Sequence, residues 1–203
     1  MNNKSTILSI FSIFLLLGCR SDSDQGNSQS IEETQKHPFE LFQEKFKEHS
    51  LPFVISSSDL KKTDLSDYTP IEDKERNYVL HQYAKDKYDD NYAYELFGIG
   101  KVLLQDSIVA CFTLLTQKEA TSYDVDLVAI NMDIYQLETF QHIDSLVFGR
   151  HERFMEGENL MIGKLDKQLK ITTLGIYTDH IEEETIREEK NYQLTNKGIK
   201  HLE

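Results

Sequence analysis

The chain is short of cations. Its 203 residues include 22 lysines and arginines against 35 aspartates and glutamates, so the formal net charge is −13. An acidic surface of this kind repels nucleic acid and anionic membrane surfaces, and it attracts cationic proteins or metal ions. The composition therefore excludes nucleic acid as an expected partner and favours a basic protein.

The sequence motifs of several enzyme and metal-site classes are also missing. The seven histidines show no HExxH or other short metal-ligand spacing, and no nucleophile elbow is present. Residues 86–91 (DKYDDN) cluster oxygen ligands but lack the alternating positions and the glycine of an EF-hand, which favours a solvated turn. The glycines of FGIGK, residues 97–101, fit no phosphate loop and indicate a strand bulge or a close backbone contact. The sequence predicts no catalytic residue, no metal site and no cofactor.

Tryptophan is absent, and tyrosines cluster instead. Tyr78, Tyr83, Tyr88, Tyr92 and Tyr94 fall within seventeen residues. Exposed aromatic side chains can stack on sugar rings, but such platforms commonly use tryptophan. Tyrosine also packs helices on sheets while its hydroxyl reaches water. We interpret these tyrosines as packing residues.

No hydrophobic run is long enough to span a membrane. The run ILSIFSIFLLLG, residues 7–18, follows a segment whose only charge is Lys4. As a helix its 12 residues would extend about 18 Å, against the roughly 30 Å of a hydrocarbon core. A basic start, a short apolar stretch and a small residue at its end are typical of a secretory signal.

Leu16-Leu17-Gly18-Cys19 resembles the lipobox of bacterial lipoproteins. The resemblance implies cleavage between Gly18 and Cys19, a diacylglyceryl thioether on Cys19, and acylation of the new amino group. Two or three acyl chains hold a protein on a bilayer, because each buried CH₂ contributes about 0.8 kcal/mol. An ordinary signal peptide with a chance cysteine, or a buried apolar helix, is the alternative.

The polar segment after Cys19 predicts a flexible tether over residues 19–36, because it has too few large apolar residues to fold. The acidic SDSD within it resembles export signals of lipoproteins displayed on the surface of some Gram-negative bacteria. The predicted location is the cell envelope, with a lipid anchor in the outer membrane that faces either the periplasm or the surface. The predicted division is a signal peptide (1–18), the tether (19–36) and one globular domain (37–203).

Cys111 has no disulfide partner if Cys19 carries lipid. It lies in IVACFTLL, where a small buried thiol is the ordinary interpretation. A reactive thiol would need a nearby base or cation, and no histidine or cation lies in this stretch. The domain is therefore expected to be stable without disulfides.

The segment from His37 to Ala84 predicts helices. Phe39, Phe42 and Phe46 lie on one helical face of residues 37–50, and residues 51–56 predict an extended segment. The sequence TPIE, residues 69–72, resembles a capping box that starts a second helix running to about Ala84.

Residues from Tyr92 onward predict strands separated by short polar turns. The last is expected at residues 191–195, before a tight turn at 196–198, while residues 133–142 fit either a strand or a helical turn. Short links imply antiparallel pairing. The predicted fold class is α+β, with N-terminal amphipathic helices packed on an antiparallel meander of six to seven strands.

An acidic run near the C-terminus comprises Glu182, Glu183, Glu184, Glu188 and Glu189. It fits a solvated turn or strand edge, or a docking surface for a basic partner. The stretches LFQEKFKEHSLPFVIS, residues 41–56, and ETFQHIDSLVFG, residues 138–149, are similar to small envelope lipoproteins of Gram-negative bacteria, and this resemblance implies a non-enzymatic binding or accessory role. The second hypothesis is an immunity protein or inhibitor that neutralises a basic toxin or hydrolase, and an envelope enzyme is the third.

Overall fold

The computed structural model describes residues 36–62, 64–79, 94–105, 107–117 and 126–203, and these residues form a ten-stranded antiparallel sheet. The strands are β1 (Phe53–Val54), β2 (Thr69–Pro70), β3 (Tyr94–Leu104), β4 (Ile108–Gln117), β5 (Asp126–Gln136), β6 (His142–Phe154), β7 (Gly157–Leu165), β8 (Lys170–Asp179), β9 (Thr185–Thr195) and β10 (Gly198–Leu202). Lys36–Glu203 form one compact unit.

The strand order follows the chain. Neighbours pair from β2 through to β10, and β1 joins separately against β7. β6 pairs with β7 only as far as Met161, and β1 then pairs with Lys164 and Leu165 of β7. The sheet also curls, which brings β10 close to β6 although three strands lie between them in the sheet order. The Ile199 N–H of β10 donates to Asp144 Oδ2 of β6 at 2.8 Å.

Two hydrophobic cores lie on opposite faces of this sheet. Alternation along β4 directs Ala110, Phe112 and Leu114 into the first core and Val109 and Cys111 into the second. The curl of the sheet encloses the first core, which includes residues from β1 and from β3 through β9.

Three short helices cover the faces within the described part of the chain. They are α1 (Pro38–Gln43), α2 (Ser57–Leu60) and a 3-10 helix (Asp73–Tyr78). α2 places Leu60 in the first core. α1 buries Phe39 and Phe42 in the second core, where their ring centroids lie 4.9 and 6.1 Å from that of Tyr135.

The predicted α+β class is wrong, because the described residues are mainly β and their helices have only four to six residues. The first predicted helix, over residues 37–50, ends at Gln43. Phe46 still reaches the second core, but the chain then extends and Glu48 bridges to Lys101 of β3. Apolar spacing alone did not distinguish a long helix from one turn followed by an extended segment.

The second predicted helix is also wrong at its start. Thr69 and Pro70 form β2, which pairs with Gly98 and Phe97 of β3. The helical turns that follow are a 3-10 helix ending at Tyr78, and residues 80–84 of the predicted helix lie outside the described residues.

The predicted meander of six to seven strands had too few strands, and the strand predicted at residues 191–195 was too short. β9 begins at Thr185, not at Asn191, and residues 133–142 divide between β5, a turn and β6. The tight turn at residues 196–198 is confirmed: Thr195 pairs with Gly198, whose φ of +124° favours glycine. The extended segment at residues 51–56 is confirmed at β1.

Candidate functional site

The turns between β6 and β7 and between β8 and β9 meet at one end of the sheet. Gly157 of β7 pairs with Asp179 of β8, and the His180 N–H donates to the Glu156 carbonyl at 2.8 Å. We call residues 154–157 together with 177–190 the hairpin end. Neither hydrophobic core includes a residue of this region.

The hairpin end exposes large apolar side chains. Met155 is 86% exposed, Ile181 70% and Ile186 58%, which exceeds every other large hydrophobic residue that the structure describes. Ile186 pairs with Tyr177 across β8 and β9, and the Tyr177 ring stacks on that of Phe154 with the ring centroids 6.0 Å apart. Phe154, Tyr177 and Ile186 therefore form an apolar strip on one face, the kind of exposed feature that marks interaction sites.

Acidic side chains surround the strip. Residues 179–190 include six aspartates and glutamates but only two lysines and arginines. Asp179 Oδ1 accepts hydrogen bonds from the N–H groups of Ile181 and Glu182, at 2.8 and 3.0 Å. The bond from Glu182, followed by that from Ile181, lowers the pKa of the Asp179 carboxyl. The turn is thereby ordered while Glu182, Glu183 and Glu184 remain exposed.

The first half of β9 is an unpaired sheet edge within the described structure. β8 pairs with residues 185–193 of β9, but β10 pairs only with residues 191–195. The Leu194 N–H donates to Leu169 on the β8 side. Because backbone groups alternate in direction along an antiparallel strand, those of Arg187 and Glu189 face away from β8.

The structure places the predicted acidic residues at this end. Glu182, Glu183 and Glu184 lie in the turn, and Glu188 and Glu189 lie on the edge strand, all exposed. Sequence reasoning missed Met155, Ile181 and Ile186, the apolar partners of these acids. A signal was present, because Ile181 and Ile186 are single large apolar residues beside acidic neighbours in HIEEE and TIREE, and Met155 lies between Phe154 and Glu156 in FMEGE.

A second cluster of polar side chains is buried on the second-core face of the sheet. Asp133 is fully buried, and Asn131 Nδ2 donates to its Oδ1 at 2.8 Å, while His142 Nε2 lies 3.6 Å from the same oxygen. Asp133 Oδ2 has no hydrogen-bond partner among the described residues, and neither does Thr113 Oγ1. Burial raises the pKa of the Asp133 carboxyl against the opposing effects of His142 and Asn131. Sequence reasoning did not single out this cluster.

Cys111 lies opposite Asp133 across β4 and β5. Its thiol is fully buried, as predicted, and burial followed by the Asp133 charge raises its pKa far above the ordinary range. The thiolate is the nucleophilic form, so the site suppresses thiol chemistry. Cys111 therefore acts as a core residue.

His151 lies in an ion-pair cluster with Glu158 and Lys61. Glu158 accepts from Lys61 Nζ at 2.6 Å and lies 2.7 Å from His151 Nε2, which ties α2 to β6 and β7. Lys61, and to a lesser extent His151, lowers the pKa of the Glu158 carboxyl. Among the described residues no group of three or more histidine, cysteine or acidic side chains is arranged to hold a metal ion.

The other predicted sites divide between confirmed and undescribed. A bulge lies between Gly98 and Gly100, and a Cβ on Gly98 would lie 2.6 Å from the Lys45 carbonyl oxygen, which confirms the bulge and the close contact. Tyr78 packs on Phe39 and Phe42. Cys19 and its tether up to residue 35, the loop at 86–91, and Tyr83, Tyr88 and Tyr92 lie outside the described residues.

No protein-family model, curated protein or solved structure matches the chain significantly. In the ranges that the structure describes, no helix has the length and apolar character needed to cross a membrane.

Proposed function

We propose that this protein is a non-enzymatic binding lipoprotein of the bacterial cell envelope, anchored through Cys19, whose hairpin end contacts a basic protein. One observation carries the proposal: all six residues at 185–190 are exposed on both faces of β9, and Ile186 is among them. The strip that Ile186 forms with Phe154 and Tyr177 belongs to neither hydrophobic core, so a partner that covers it would remove apolar surface from water.

The hairpin end has the composition of an interaction surface. Its apolar strip is surrounded by charged side chains, as the centre of a protein interface is surrounded by a polar rim. The excess of carboxylates speeds encounter with a basic partner and disfavours acidic ones. The apolar strip and the excess of carboxylates together favour a partner with an apolar patch surrounded by basic side chains.

The second candidate is an inhibitor or immunity protein that neutralises a basic toxin or hydrolase reaching the envelope. The same acidic surface supports it, because it complements a cationic enzyme. The two candidates differ in their consequence. An inhibitor abolishes the partner's activity on binding, whereas an accessory protein leaves it intact.

The anchor is tested by metabolic labelling with an alkyne fatty acid. The wild-type protein should carry the label and partition with the outer membrane, and Cys19→Ser should lose both properties. A native protein that retains its first methionine, or that carries a free thiol on Cys19, would contradict the lipoprotein assignment.

The binding surface is tested by photo-crosslinking in cells. A benzoylphenylalanine at position 181 or 186 should give a discrete adduct with a basic protein, and the same group at Leu103, itself 48% exposed, should not. Replacing Glu182, Glu183 and Glu184 by lysine should remove the adduct.

A matched control makes the same change of charge elsewhere on the surface. Asp67, Asp73 and Glu138 are exposed acids distant in sequence from the hairpin end. Lysine at these three positions should leave the adduct unchanged. Equal losses from both triple variants would show that only overall charge matters and would overturn the assignment of this surface.

A further inference from the structure

We propose that the outer edge of β9 over residues 185–190 accepts an extended, lysine- or arginine-rich segment of the partner as an added strand. This inference rests on the proposed function and states how the partner is held. The unpaired backbone of the edge would supply the hydrogen bonds, and the side chains would select the sequence.

The length of the edge suits strand addition. β10 ends opposite Asn191, so six residues of β9 continue beyond it. Six residues of strand extend about 20 Å, which is a usual strand length. The backbone groups of Arg187 and Glu189 face the open side, so an added strand would be held at two successive outward positions.

The side chains specify a segment with both apolar and basic residues. Ile186 and Glu188 lie on the face of the apolar strip, and Glu189 lies on the other face. An apolar residue opposite Ile186 would extend the strip of Phe154 and Tyr177. Lysine or arginine opposite Glu188 or Glu189 would form cross-strand ion pairs, which stabilise neighbouring strands.

Charge disfavours a second copy of this chain as the occupant. Two hairpin ends brought together would each carry six acidic against two basic side chains within residues 179–190. One of the two cations, Lys190, already lies 3.0 Å from Glu188. Like charge of this size opposes self-pairing of an exposed edge, whereas a cationic segment is attracted.

The experiment uses the full-length lipoprotein in detergent micelles and an eight-residue peptide alternating lysine and valine. We expect the peptide to bind and to slow amide exchange at Arg187 and Glu189, and not at residues of β8. The same peptide methylated on every backbone nitrogen keeps its charge and its lysine side chains but has no backbone N–H to donate to the edge. Its affinity should fall at least tenfold, or about 1.4 kcal/mol.

Equal binding of the two peptides, without added protection at Arg187 and Glu189, would overturn strand addition. The proposed function would survive that result if the photo-crosslink at residue 181 were still observed. Sedimentation showing that the protein self-associates through this edge, with no peptide bound, would also overturn the inference.

Glu189→Pro provides a second route, because proline removes one outward N–H at an edge position where it is tolerated. Binding of the peptide should weaken, whereas Glu189→Gln should retain the amide protection. A melting curve for each variant separates lost binding from lost folding. Full binding by a folded Glu189→Pro variant would count against the added strand.

Discussion

β4 and β9 both lack the simple alternation of apolar and polar residues, for opposite reasons. Every residue from Ile108 to Leu115 in β4 is buried, because the first core lies on one face and the second core on the other. Every residue at 185–190 of β9 is exposed, because no segment that the structure describes covers either face. A run of apolar residues thus marks a strand inside two layers, and a run of charges marks a strand outside both.

We expect the covered strands to determine stability and the hairpin end to determine binding. Substitutions in the doubly covered strands, or in the segments that cover them, should change the free energy of unfolding. Substitutions at the hairpin end should leave stability nearly unchanged and alter binding.

Phe39→Ala should reduce the free energy of unfolding by about 3–5 kcal/mol, because the ring is fully buried in the second core. Ile186→Ala at the hairpin end should change it by less than about 0.5 kcal/mol. Chemical denaturation followed by circular dichroism measures both. Similar losses for the two variants would show that the hairpin end shares in the cooperative core.

Gly163→Ala should destabilise the fold by about 1–3 kcal/mol, because a Cβ there would lie 2.1 Å from the Phe148 carbonyl oxygen. Gly175→Ala is the matched control on β8, where the nearest atom, the Glu188 carbonyl oxygen, would lie 3.6 Å away. Thermal melts should separate the two variants clearly. A melting temperature for Gly163→Ala equal to that of the control would contradict the close approach of β6 and β7.

Asp133→Asn should become more stable relative to wild type as pH rises from about 4 to 7, because burial raises the pKa of the Asp133 carboxyl in the folded state. Below the ordinary aspartate pKa both states hold the proton. As pH rises the unfolded state releases it first, so the wild-type fold loses stability and the asparagine variant does not.

The expected result is the sign of this change: the stability of Asp133→Asn minus that of the wild type should increase with pH. Unfolding free energies at several pH values between 4 and 7 measure it. A difference between the two proteins that stays constant over this range would argue against a buried, perturbed Asp133.

Glu183→Gly should be neutral or stabilising by less than about 1 kcal/mol, since Glu183 has a φ of 55°, a region that favours glycine. Glu182→Gly in the same turn lacks this benefit and should be neutral or slightly destabilising. Both effects are small because the turn lies outside the cores. Calorimetry of the two variants side by side resolves the order.

Sequence patterns predicted local features well where one residue type has one physical role. The glycine at position 198 indicated the turn, the FGIGK glycines indicated a bulge, and the apolar neighbours of Cys111 indicated a buried thiol. Each depends on a backbone preference or on burial that neighbouring residues already report.

The pattern failed where two structures satisfy the same spacing. Phe39, Phe42 and Phe46 reach one core from a single helical turn and an extended segment, although their spacing predicted a longer helix. The start of β9 was missed because its charges resemble a loop. The buried Asp133 cluster was missed because β4, β5 and β6 bring its members together from separate parts of the chain.

By itself the sequence determined the acidic balance, the lipobox resemblance at Cys19 and the strand-forming character of the second half, since these depend only on composition and nearest neighbours. Only the tertiary structure decided that the sheet is covered on both faces at β4, and that the described segments cover neither face at the start of β9. Whether a strand face is buried depends on which segments distant in sequence pack on it. That packing depends on the apolar area buried between distant segments and on the entropy lost in ordering them, and neither can be read from the residues of one strand.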